Sequence, residues 1–186
     1  MNVIKETARG YALIPLRDEL YSKRTIYICG EITQELADDF IMSVNHLASM
    51  SHDTIRVYID SPGGSVTAGL SIYDVLMSCN CPIETICLSQ ASSIANIIFL
   101  AGSVRRMYQH SIMFVHEPAE VSSSIVTTDS AQTRLEILAQ YRSTVTGIIA
   151  ERTGKKVKDV AKLMHGETRL TAEDALKHNM CTEIIS

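Results

Sequence analysis

Four short apolar runs, Thr25 to Cys29, Ile55 to Asp60, Ile83 to Cys87 and Ile112 to Val115, set the strongest limit on how this chain folds. Each is nearly continuous in apolar character, as a strand is when both its faces are covered, and helix-length segments separate them. The pattern predicts an α/β fold on a buried parallel sheet. Thr33 reads as an N-cap, with Leu36, Phe40, Val44 and Leu47 following at helical spacing. Further helices are expected over Ser65 to Ser78, Ser93 to Ala101 and about Thr128 to Arg152, the last two ended by Gly102 and Gly154. Two shorter ones, Val157 to Met164 and Thr171 to His178, precede a terminal strand over Cys181 to Ile185. The polar, β-branched stretch from Glu117 to Thr127 leads into the long helix and reads as a projecting strand-and-helix arm suited to subunit contact.

The chain has 186 residues, 46% of them hydrophobic, which suffices for one domain spanning 1–186 with a substantial core and leaves no room for a second. A formal net charge of -4 with no long Lys/Arg run argues against nucleic acid as a partner. The longest apolar runs fall well short of the ~20 residues of a membrane span, and the first nine residues lack a signal-peptide core. Five cysteines without a CxxC pair read as reduced core thiols, so a soluble cytoplasmic protein is expected, with no metal.

Three segments carry candidate chemistry. Ser93 falls where a strand gives way to a helix, so its hydroxyl sits among free backbone amides; the plain alternative is a helix cap, with Ser92 as a confusable neighbour. His116 follows the apolar run ending at Val115, at the position of a base presented by a strand end, or of an ordinary core-edge histidine. Gly63 and Gly64 clear side chains from a turn where amides could meet an oxyanion, or simply form a Pro-Gly turn. Their joint occurrence in one small α/β chain favours nucleophile, base and oxyanion donors over three unrelated local features.

Tyr58-Ile59-Asp60-Ser61-Pro62-Gly63-Gly64 with Thr67-Ala68-Gly69 and Ser71-Ile72-Tyr73-Asp74 resembles a segment of the Clp protease proteolytic subunit family. Gln90-Ala91-Ser92-Ser93 resembles that family's nucleophile segment, and His116-Glu117-Pro118 its histidine segment. The match extends through Thr153-Gly154 and Leu170-Thr171-Ala172 over nearly the whole chain. The resemblance implies a crotonase-like αβ-superhelix (the ClpP-type fold) with a projecting strand-helix handle over about 117–152 and an axial segment over 1–20. It also implies Ser93 as nucleophile, His116 as base and the amides of Gly64 and Ile94 as oxyanion hole. Heptameric rings, open to stacking as a tetradecamer, would confine hydrolysis to unfolded polypeptides. Unfolding would fall to a separate AAA+ ATPase, since the chain has no Walker-type motif; no cofactor is expected.

The chain departs from the family at several places. The family's catalytic Asp falls on Glu167, which reads equally as the orienting acid or as a solvated helix-end carboxylate; Asp129 and Asp174 do not fall at that position. Gly166 stands where an Arg involved in ring contact is usual, and Ile94-Ala95-Asn96 replaces Met-Gly-Ala after the nucleophile. Asn45, His46, Arg56 and Ser78 occupy positions where the family exposes apolar groups to its ATPase, so docking there would be altered. The leading expectation is a serine endopeptidase subunit. The alternative is a weakly active or inactive divergent subunit with a structural role in a mixed ring. An acyl-CoA enzyme of the crotonase fold ranks last, having no use for a Ser93/His116 pair, and a Ser/Lys peptidase lacks a lysine between Ser93 and Lys155.

Overall fold

The computed structural model describes residues 1–8, 10–119 and 127–186. The expected parallel strands are present and longer than their apolar runs: β3 (Thr25–Ile32), β4 (Ile55–Gly64) and β5 (Ile83–Ser92) lie side by side in parallel, β4 in the middle. Before them, β1 (Asn2–Thr7) and β2 (Gly10–Pro15) form a separate antiparallel hairpin, followed by α1 (Leu16–Ser22). The extra strand length lies beyond the apolar runs, where polar and glycine residues continue the ladders. Register shifts between Cys29 and Glu31 and between Ile59 and Ser61 accompany it. Such irregularities bend a strand and re-aim its side chains, and here they affect the strand ends that carry the candidate chemistry.

Strand β5 holds two partners along its length. Its first half pairs with β6 (Val104–Tyr108) through Glu84 to Cys87, and its last three residues pair with β7 (Ile112–Val115). The sheet therefore forks. One branch runs through β6 to the terminal β9 (Glu183–Ile185), and the other through β7 to the antiparallel β8 (Thr168–Thr171). Neither β6 nor β8 is evident from hydrophobic pattern. In β6 the sequence shows two arginines, and the structure pairs both: Arg105 is buried and donates to the carbonyls of Met180, Gly102 and Asn179. Arg106 bridges Glu84 and Glu183 from neighbouring strands.

The helices follow their caps. Thr33 accepts the Leu36 amide at the start of α2 (Gln34–Met50), and Ser65 accepts the Ala68 amide at the start of α3 (Val66–Ser78). Helix α4 (Ile94–Leu100) is buried along its whole length. The long α5 (Thr128–Thr153) opens on a capping box between Thr127 and Ser130 and ends at Gly154 in the left-handed conformation. After α6 (Val157–His165) and β8, α7 (Ala172–Lys177) is capped by Thr171. The arm expected over Glu117 to Thr127 falls largely on residues 120–126, outside the described residues.

The core is continuous between sheet and helices: Ile28, Ile59, Cys87, Ile98 and Phe99 are fully buried. Each large apolar side chain buried in this way contributes roughly 1.5–3 kcal/mol. Burial pushes the Cys87 thiol up to about 12, leaving it a packing residue rather than a nucleophile. Where α3 meets α4, Gly69 lies against Ile94, the residue after Ser93, and a β-carbon at Gly69 would overlap Ile94 Cγ1. Gly69→Ala is therefore expected to destabilise the fold by about 1–3 kcal/mol, read as a lower urea midpoint with unchanged slope.

Candidate active site

The candidate residues come from three neighbouring strand ends. At the end of β4, the buried Ser61 hydroxyl accepts the Gly63 amide at 3.1 Å and folds the chain into a tight turn. That amide is thereby engaged. Gly63 and Gly64 both have positive φ, 101° and 149°. A β-carbon on Gly63 would stand 2.6 Å from Ser93 Cβ and 2.9 Å from the Ser92 carbonyl oxygen. One on Gly64 would run into the Ile32 backbone. The glycine pair thus lets the β4 turn lie directly against Ser93.

Ser93 joins β5 to α4 with φ 54° and ψ -128°, a combination that glycine adopts readily and other residues rarely. It forms a sharp elbow. Its amide donates to the Phe114 carbonyl of β7 at 2.8 Å, which fixes the elbow to the strand that ends beside His116. The half-buried Ser93 hydroxyl makes no hydrogen bond among the described residues, including to His116. Ser92 differs: it is buried, and its hydroxyl turns to Gln90 Oε1 at 3.4 Å. Ile94 begins α4, and its amide is one of that helix's unpaired donors.

His116 is half-buried one residue past β7, its ring tilted against Phe114 with centroids 5.4 Å apart. Its Nδ1 lies 2.7 Å from the Glu117 carbonyl oxygen. A carbonyl only accepts, so Nδ1 is the donor of this contact, and in the neutral ring that tautomer leaves the lone pair on Nε2. Ser93 and His116 line one narrow cavity of about 20 Å³, otherwise mainly aliphatic, with Val66, Ile97 and Ile149 among its walls.

Glu167 stands in the turn between α6 and β8, exposed and with φ 47°. In the antiparallel β7–β8 ladder Val115 pairs with Thr168, so one further step of the same register would set His116 opposite Glu167. Its carboxylate makes no hydrogen bond or ion pair with any described residue. Asp174 is occupied at the start of α7 by Thr171 and Lys177, and Asp129 lies in the first turn of α5. A different carboxylate lies beside His116: Glu117 Oε1 is 3.0 Å from Arg142 of α5, at angles outside those of a hydrogen bond, and 3.7 Å from His165. Sequence reading passed over this contact, since it depends on how α5 packs.

The larger depression, about 760 Å³, lies elsewhere, between α1, β3 and α2, with Tyr21, Tyr27, Phe40 and His46 on its walls. His46 stacks on Tyr21 there, while Asn45, Arg56 and Ser78 are exposed. Among the described residues, no group of three or more His, Cys, Asp or Glu side chains is arranged to hold a metal, and no helix is long and apolar enough to cross a membrane.

The model of the Clp protease family matches residues 8–186. ATP-dependent Clp protease proteolytic subunit 1 of Chlamydia felis is 31% identical over 189 residues, covering 99% of this chain and 91% of the relative. ATP-dependent Clp protease proteolytic subunit 2 of Chlamydia trachomatis serovar D is also 31% identical, with the same coverage. A solved structure of a ClpP1 mutant from Listeria monocytogenes superposes with a TM-score of 0.84 at 27% identity, covering 92% of this chain and 96% of that one. The fold is accordingly the ClpP-type fold that the sequence resemblance implies.

Gly63→Ala tests the packing of turn on elbow. It is expected to destabilise the fold by about 1–3 kcal/mol, read as a lower urea midpoint, because the added β-carbon meets the Ser92 carbonyl and Ser93 Cβ at a positive φ.

Proposed function

Because the chain belongs to the Clp protease family, we propose that it is a serine endopeptidase subunit that cleaves peptide bonds of unfolded polypeptides through an acyl-enzyme on Ser93. The observation that carries this reading is the strained elbow at Ser93, packed against Gly63 and opening onto the same cavity as His116. An unbonded hydroxyl on such an elbow, beside a base and free amides, is suited to acyl transfer.

In the first step His116 Nε2 takes the Ser93 hydroxyl proton as Oγ attacks the scissile carbonyl. The oxyanion that forms is held by the Gly64 and Ile94 amides. The tetrahedral intermediate collapses, the C–N bond breaks, and the leaving amine takes the proton from His116. Water then attacks the ester on Ser93 with His116 again as base, releasing the carboxylic acid and restoring the hydroxyl. In the free subunit the Glu117 carbonyl keeps the Nδ1 proton in place. Glu167, one ladder step from the last β7–β8 pair, serves as the orienting acid once its carboxylate swings toward the imidazole.

Assembly belongs to the same proposal: rings of this subunit, working in the cytoplasm with a Clp-type ATPase that delivers unfolded chain. Free cysteines suit a reducing compartment. One pair of observations favours the second reading, a weakly active subunit in a mixed ring: neither the Ser93 hydroxyl nor the Glu167 carboxylate is bonded to His116. Relatives named as subunits 1 and 2 agree with a mixed assembly.

A fluorophosphonate probe applied to the assembled protein is expected to label Ser93 and to fail on Ser93→Ala; absence of Ser93-dependent labelling would sink the peptidase reading. For the acid, Glu167→Ala is expected to lower kcat at least tenfold with little change in KM, well short of the ~10⁴-fold loss at a tightly held triad acid. Unchanged rates would remove Glu167 from the mechanism and leave the Glu117 carbonyl as the sole partner of Nδ1.

A further inference from the structure

Glu117 is tied to its surroundings twice. Its main-chain carbonyl oxygen lies 2.7 Å from His116 Nδ1, and its carboxylate oxygen Oε1 lies 3.0 Å from Arg142 of α5. That carboxylate oxygen is buried and accepts no hydrogen bond among the described residues, and His165 Nδ1 stands beyond hydrogen-bond reach at 3.7 Å. A carboxylate oxygen shielded from water and left without a donor depends on a positive charge close by, which here is the Arg142 guanidinium. Because the carbonyl and the carboxylate belong to one residue, the contact with Arg142 restrains the carbonyl that holds the imidazole.

The orientation so restrained is not that of an engaged base. His116 makes its hydrogen bond to Glu117 and none to the Ser93 hydroxyl, and the Glu167 carboxylate, one ladder step past the last β7–β8 pair, is unbonded. In its neutral form the ring with a proton on Nδ1 has that one N–H, and a donor given to the Glu117 carbonyl is withheld from Glu167. Engagement with the acid therefore requires Nδ1 to leave the carbonyl, and the Glu117 backbone gives way less readily while its side chain is held at α5. Resting on the peptidase reading, we propose that Arg142 is a positioning residue acting through Glu117: it holds His116 in the orientation bonded to the Glu117 carbonyl and so disfavours its engagement with Ser93 and Glu167. The Arg142 and Glu117 side chains are 50% and 35% exposed, so the restraint is modest and weakens as salt rises.

The rate of labelling by a fluorophosphonate reports how readily His116 engages. Ser93 Oγ attacks phosphorus, the P–F bond breaks with loss of fluoride, and the Ser93 proton passes to His116. On the assembled protein at one fixed pH, Glu117→Gln and Arg142→Gln are each expected to raise the rate of Ser93 labelling about two- to fivefold, the size of a partly exposed ion pair. Arg142→Lys keeps the charge and is expected to keep the wild-type rate. The double variant should gain no more than either single one, since the same contact is lost in all three. Raising the salt from about 0.05 M to about 0.5 M should quicken labelling of the wild type and leave Glu117→Gln unchanged. Loss of a merely structural contact would slow labelling, so rates in both single variants at or below that of the wild type overturn the proposal. The salt response needs no variant, and wild-type labelling that fails to quicken overturns it equally. Ser93 labelling with such flat rates strikes down the positioning role alone, whereas no Ser93-dependent labelling in any form removes the peptidase reading and this inference with it.

Discussion

The carbonyl of Phe114 is the point on which the functional half of the molecule depends. It accepts the amide of Ser93 and the side-chain amide of Asn96, and it belongs to the strand that ends beside His116. Two donors on one oxygen tie the β5–α4 elbow to β7 more firmly than the three-residue β5–β7 ladder alone would. The fork in β5 makes this arrangement available, since only a strand that changes partners midway can put its last residues beside β7 while its first residues hold β6. The same fork opens the sheet just where the cavity lies.

Around that point, small residues set distances and large ones set shape. Gly63 brings the β4 turn against Ser93, and Gly69 lets Ile94 settle between α3 and α4. Aliphatic side chains from α3, α4 and α5 then close the cavity on its remaining sides. The half-buried Ser93 and His116 thus share a largely apolar surround. The Glu117–Arg142 ion pair adds a link from the residue after His116 to the middle of α5.

Much of this was legible in the chain. The apolar runs pointed to β3, β4, β5 and β7, and the Thr33 cap to the start of α2, because burial on both faces and side-chain capping are local properties. Strand β6 was not legible, because Arg105 and Arg106 break its apolar pattern and are satisfied only by carbonyls and carboxylates far along the chain. Strand β8 is four residues long with one buried side chain, so the register that relates Glu167 to His116 was hidden too. Ser93 and His116 could be singled out by position, but the positive φ of the serine and the carbonyl partner of the imidazole are products of tertiary packing. Asn96 was visible only as a departure from a family pattern.

The backbone angle at Ser93 also bears on how such a chain can drift. Holding a serine in a glycine-favoured conformation costs about 1–3 kcal/mol, a sizeable fraction of a domain's net stability. A change to glycine at this one position would release that strain and erase the hydroxyl in the same step. A lineage with no further need of the hydroxyl therefore has a stabilising substitution close at hand, and this chain retains the serine together with its strain.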